Sequence, residues 1–318
     1  MRLRIAIIVF FVAAVLAASG KILADELDRG HDLVKSGQLE AAAEFFNRYA
    51  NAHPNDKKKT AEAYAWCGRI LDAKADQFTG EAERLCYWVR GAPRTPACME
   101  KEAEKLNARF GAGAFRYEHA VTYIPYTGVH YRRLLDRFPK SRYAPEADFY
   151  LLLHSLTGHP DVVLPRIKAF CKRHPKKEWH RRCQLLWARA NEDIWYIHRK
   201  WSWVLYNYQI APEELVVRAE TYRQEALRTY KQLMRDKKSF EGKIAAREYA
   251  QLKANRDDNM VYSIVNDSMP GTLESWGVIK LPSSGQGVGA PKVSPESGEV
   301  LPGEKPEGKS PSVPQRWK

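Results

Sequence analysis

Several spacings that bring chemistry to a fold are missing from this 318-residue sequence. It holds no H-E-x-x-H, no G-x-S-x-G, no haem-attaching C-x-x-C-H, and no phosphate-cradling Gly-Lys loop set between a strand and a helix. Zinc hydrolysis, the serine elbow, haem attachment and phosphate binding each depend on one of those local geometries. Convincing period-2 alternation is also missing from Asp25 to about Asn266, which argues against a sheet. Beyond residue 24 no apolar run reaches the roughly 20 residues needed to cross a bilayer. The expectation is a non-catalytic chain without metal or cofactor.

Cysteine is sparse, at five residues, and none follows the one long apolar run. That run opens the chain: Arg2 and Arg4 precede Ile5 to Ala18, and the small residues Ala18, Ser19 and Gly20 close it. The arrangement reads as a secretory signal peptide over 1–24, or an N-terminal anchor if it is retained. Without a cysteine there, no lipid-modified N-terminus is expected. Export places the protein in the periplasm or at a membrane, where oxidising conditions favour disulfides. The net charge of +13, from 51 Lys and Arg against 38 Asp and Glu, then points away from nucleic acid. Acidic proteins, cell-wall polymer and anionic lipid are the partners that such a charge fits.

Nearly everything from residue 25 to 270 reads helical, and the helices recur. Gly37 stands seventeen positions before Pro54, and Gly158 stands seventeen before Pro175. Pro139 is a third break, and Lys238 holds the equivalent place in a fourth segment. Eight positions ahead of each break is a large apolar residue: Phe46, Tyr131, Ile167 and Tyr230. Eight positions beyond Pro139 and Lys238 come Ala147 and Ala246, small enough to let two helix backbones approach. Each such hairpin leaves an apolar face open, so neighbouring pairs must stack to cover it.

Gly37, Leu39, Ala42, Phe46 and Pro54 follow the second half of a tetratricopeptide repeat, and Gly158, Val163, Ile167 and Pro175 follow it more loosely. FPKSRYAPEADFYLLL (138–153) is similar to the P-x-S-x-x-A-x-x-A arrangement of bacterial envelope repeat proteins. The chain therefore resembles tetratricopeptide-repeat (TPR-like) envelope proteins, among them the repeat lipoproteins of outer-membrane assembly. The resemblance implies an all-α, TPR-like helical-hairpin solenoid over 25–270. It also implies a scaffold that holds a partner protein during envelope or outer-membrane assembly.

CKRHPKKEWHRRC (171–183) is the most loaded stretch. Cys171 and Cys183 occupy the places of Leu135 and Ala147 in the neighbouring repeat, which should touch across a hairpin. A disulfide there closes a loop of about 12 residues and stabilises by roughly 3 kcal/mol in the chain-entropy model. Free buried thiols, or a metal held by Cys171, His174, His180 and Cys183, are the competing readings. Cys86 and Cys98 flank another apparent helix–turn–helix and are expected to pair in the same way, leaving Cys67 as a small buried apolar residue. Lys172, Arg173, Lys176, Lys177, Arg181 and Arg182 form a basic turn. Trp195, Trp201 and Trp203 concentrate in IWYIHRKWSWVLYNY (194–208), either as a helix sandwiched between neighbours or as an aromatic binding groove. The basic turn and the aromatic helix together are the candidate surface for a partner protein, cell-wall polymer or anionic lipid.

Residues 271–318 are rich in Pro, Gly, Ser and charge, and are expected to form a disordered tail. Glu274-Ser275 is similar to the start of a glycan-cleaving motif, but only 43 residues follow Ser275, too few for a lysozyme-like domain.

Overall fold

The computed structural model describes residues 26–156, 160–200, 210–256, 273 and 276–282. Among them the regular structure is helical, and extended pairing is limited to isolated bridges such as Phe115 with Tyr126. Helix α1 (26–35) turns at Gly37 (φ +75°) into α2 (Leu39–Ala52). Helix α3 (Lys57–Glu83) is capped by the Asp56 side chain, which accepts from Lys59 N, and runs on as a π turn, Arg84–Trp88. Then follow α4 (Pro96–Phe110), α5 (Val129–Arg137), α6 (Ala144–Leu153), α7 (Pro160–Arg173), α8 (Lys177–Lys200), α9 (Pro212–Leu233) and α10 (Phe240–Lys253).

Packing follows chain order. Helix α2 lies on α3, α3 on α5, α5 on α6, α6 on α7, α7 on α8, α8 on α9 and α9 on α10. The amphipathic spacing explains the contacts. Phe46, Tyr131, Ile167 and Tyr230, the four residues eight positions ahead of each break, are all fully buried. Two of them sit on glycines: a Cβ on Gly30 would lie 2.5 Å from the Phe46 ring, and one on Gly68 would lie 2.4 Å from the Tyr131 ring. The same aromatic-on-glycine contact thus joins α1 to α2 and α3 to α5. The long interval between Pro54 and Pro139 has a cause as well. Between α3 and α5 the chain inserts the π turn, a disulfide-closed loop, α4 and the bridged segment around Phe115 and Tyr126.

Both cysteine pairs form disulfides, Cys86 with Cys98 and Cys171 with Cys183, with Cα atoms 5.7 and 5.6 Å apart. They are the mark of an oxidising, exported environment. Cys67 is a buried free thiol. No helix among the described residues is long and apolar enough to cross a membrane. The expected signal segment, 1–24, lies outside the described residues.

Two expectations are corrected. Ala246 is exposed, and the buried face of α10 runs through Gly242, Ala245, Glu248 and Leu252. Helix α10 begins at Phe240, where the Ser239 hydroxyl accepts from Gly242 N. A Cβ at Gly242 would lie 2.0 Å from the Asp236 carbonyl, so this contact fixes the rotation of the helix and turns Ala246 outward. The tail also starts too early at residue 271. Leu273, Trp276 and Leu281 are buried in the common core, because their large apolar surfaces find a place between helices. Trp276 meets Phe149 of α6 edge-on at 5.4 Å and lies under the Arg189 guanidinium of α8 at 4.9 Å. The Gly277 carbonyl accepts from Arg182 at 3.0 Å. Residues beyond 282 lie outside the description.

Candidate functional site

The basic turn does not project as a free positive knob. Arg173 donates to Asp148 of α6 at 3.0 and 3.1 Å, and His174 pairs with the same carboxylate at 2.7 Å. Arg181 donates to Asp236 at 2.7 Å. Arg182 is buried, bonded to Glu178 and to the Gly277 carbonyl, and close to the buried Glu241. Lys172 and Lys176 remain exposed. With the two sulfurs bonded to each other and His174 on Asp148, the four residues of the drawn metal site do not form a ligand set.

The aromatic helix is likewise a packing element where it is described. Trp195 is 2% exposed, carries the Arg199 guanidinium on its ring at 4.8 Å, and belongs to the core. Trp201 and Trp203 lie outside the described residues, as does Gly158. Residues 303–310, GEKPEGKS, do carry the G-x-x-x-x-G-K-S spacing of a phosphate loop. Pro306 interrupts them, Pro302 and Pro311 flank them where such a loop needs a strand and a helix, and they too lie outside the described residues.

A different surface gathers cations around a cavity. A cleft of about 560 Å³ is lined by Lys57 and Lys58, at the start of α3, and by the run Arg137 to Tyr143, which links α5 to α6. The volume is in the range of small-ligand and side-chain pockets. The local sequence shapes it. Pro54 and Pro139 both stand exposed in turns, and stacking α3 on α5 brings the two breaks to one edge. Arg137 ties them together, donating to the Tyr64 hydroxyl at 3.1 Å and to the Pro54 carbonyl at 3.0 Å. Phe138, Pro139 and Tyr143 supply the apolar part of the lining.

The electrostatics favour an anion. Lys57, Lys58 and Lys140 are exposed, with no carboxylate in ion-pair reach among the described residues. Arg142 stacks on the Tyr143 ring at 4.7 Å, bonds its hydroxyl and reaches Glu62 at 3.3 Å. Hydrogen bonds from His31 and then from Tyr143, with the Arg142 charge nearby, hold the Glu62 carboxyl below its usual range. Burial pushes the Tyr143 phenol up to about 12. The Ser141 hydroxyl is out of contact with water and has no hydrogen-bond partner among the described residues. These groups can hold a carboxylate or phosphate beside an apolar group, by charge and contact. Sequence reading missed this site because Lys57–Lys58 and Arg137–Arg142 are far apart in the chain. The available signal was a basic cluster at two successive proline breaks.

No protein-family model, curated protein or solved structure matches this chain.

Proposed function

We propose that the chain is an exported, non-catalytic binding protein whose helical hairpins form a TPR-like solenoid, and that its basic cleft holds an acidic segment of a partner protein. The repeated aromatic-on-glycine contact and the chain-order packing support the solenoid. The two disulfides support an oxidising compartment, and the periplasm of a bacterial envelope fits the sequence resemblance, with outer-membrane assembly as the process served. The observation that carries the binding role is the cleft itself: three unpaired lysines and two arginines around an apolar lining of phenylalanine, proline and tyrosine. An acidic peptide with one bulky apolar side chain satisfies both halves of that surface.

The test is a titration of fluorescein-labelled Asp/Glu-rich peptides carrying one Phe or Leu, followed by anisotropy. Lys58→Glu with Lys140→Glu should weaken binding at least ten-fold, and binding should fade between 0.1 and 0.5 M salt, as screening requires. Equal affinity of the double variant and the native chain refutes the cleft as the binding surface.

A further inference from the structure

Away from the cleft, the insertion between α3 and α4 exposes apolar surface where a folded chain normally hides it. Trp88 is 77% exposed, Leu85 40% and Val89 36%. Tryptophan is among the side chains most buried on average, so an isolated one left in water calls for an explanation. This one is held in place rather than dangling. Its root is fixed by Cys86 and Met99, both fully buried, and by the Cys86–Cys98 disulfide. Arg94 N donates to the Cys86 carbonyl at 2.8 Å and Val89 N to the Arg84 carbonyl at 3.1 Å. The turn passes through left-handed backbone at Gly91 (φ +81°) and at Arg94 (φ +53°), a conformation that a non-glycine residue adopts only under constraint.

Within the tip the charges have one sign, although Glu83 directly precedes it and acts on Tyr87. From Arg84 to Met99 the sequence holds Arg84, Arg90 and Arg94 and no acid. All three arginines are exposed, and none meets a carboxylate within ion-pair distance among the described residues. The flanking Glu100 is engaged with His119 at 2.9 Å. An apolar tip with a tryptophan, collared by unpaired arginines, matches the interface of a bilayer. There the indole sits at headgroup depth and the guanidinium groups meet lipid phosphates.

We propose that the loop 84–98 docks the protein on an anionic lipid bilayer, with Trp88 entering the headgroup region. This does not rest on the cleft. The exported, oxidised full chain should partition onto vesicles of phosphatidylglycerol and phosphatidylcholine (3:7) more strongly than onto phosphatidylcholine alone, and the difference should shrink as salt rises from 0.1 to 0.5 M. The zwitterionic arm accounts for any insertion by the apolar N-terminal segment. Trp88→Ala should lower partitioning onto anionic vesicles at least about ten-fold. Arg90→Glu with Arg94→Glu should abolish the preference for anionic lipid, each arginine being worth roughly five-fold. Thermal melts of the variants should match the native chain, since none of these side chains is buried. Lys58→Glu with Lys140→Glu, in the cleft, should leave partitioning unchanged. Three results overturn the proposal: no preference of the native chain for anionic vesicles, undiminished partitioning of Trp88→Ala, or loss in the cleft variant but not in the loop variants. Defined protein crosslinks from position 88 without vesicle binding would also overturn it, by assigning the loop to a protein partner.

Discussion

Gly68 and Gly80 lie in the same helix, α3, and replacing each by alanine should move stability in opposite directions. Either change gains helix propensity and reduces the freedom of the unfolded chain, a stabilisation of about 1 kcal/mol. At Gly80 nothing stands within 4 Å of the added Cβ, so that gain should appear in full. At Gly68 the Cβ would lie 2.4, 2.5 and 2.7 Å from three ring atoms of Tyr131. The ring has little room to withdraw: it is fully buried, with the Tyr150 ring centroid 4.7 Å away and that of Tyr126 at 6.3 Å. Overpacking of this kind costs about 1–3 kcal/mol, and the severity of the overlap puts Gly68→Ala at the upper end, a net loss of about 1–2 kcal/mol. For a domain of this size a kilocalorie shifts the melting temperature by about 2–4 °C. Gly80→Ala should therefore raise Tm by that amount, and Gly68→Ala should lower it by several degrees. In a Tyr131→Leu background the loss at Gly68 should shrink or reverse, which a double-mutant cycle of melts would register as coupling above about 1 kcal/mol. If Gly68→Ala raises Tm as much as Gly80→Ala, the hairpin contact does not exist as described.

Three further outcomes follow from the packing and the buried groups. Trp276→Ala should cost about 3–5 kcal/mol in denaturant unfolding, because it empties the space between Phe149 and Arg189; a change under 1 kcal/mol would detach the 276–282 segment from the core. Replacing Cys171 and Cys183 together by alanine should cost about 3 kcal/mol and make that part of the melt insensitive to reductant. Burial holds the His154 imidazole down at about 4 and that of His130 at about 3, whereas both protonate near the ordinary value of about 6.5 once unfolded. Between those limits the unfolded chain binds more protons, so stability is complete above about pH 6.5 and falls as pH drops. The slope should reach up to about 1.4 kcal/mol per pH unit for each histidine. His130→Gln should flatten it, and an unchanged slope would show that His130 is not buried in the neutral form.

The helices and their buried faces were legible because their signal is local. The spacing of Phe46, Tyr131, Ile167 and Tyr230 ahead of the breaks sets which face of each helix turns inward, and all four are buried. Both cysteine pairs followed from the same hairpin register. What escaped was set by contacts distant in sequence. Arg181 and Arg182 read as a free positive surface because Asp236, Glu241 and Gly277 are far along the chain, and the polar partners of a guanidinium leave no trace in its neighbours. Counting from Lys238 turns Ala246 inward, whereas the rotation of α10 is decided by Gly242 against the Asp236 carbonyl. Trp276 stands just ahead of the Pro-, Gly- and Ser-rich run 281–318, whose composition outweighed the apolar residues Leu273, Trp276, Val278 and Ile279 before it. The cleft needed two breaks brought together in space, and only the packing of α3 on α5 supplies that.

A photo-crosslinking amino acid placed in the cleft of the exported protein, in living cells, tests the binding role most directly. Substituted at Lys58 or Lys140, it should yield the same one or two protein adducts from both positions. Those adducts should vanish when Arg142→Glu is added and be missing when the group is placed instead at exposed Arg228. Adducts that are equally abundant from Arg228, or that survive Arg142→Glu, would contradict a partner held in this cleft.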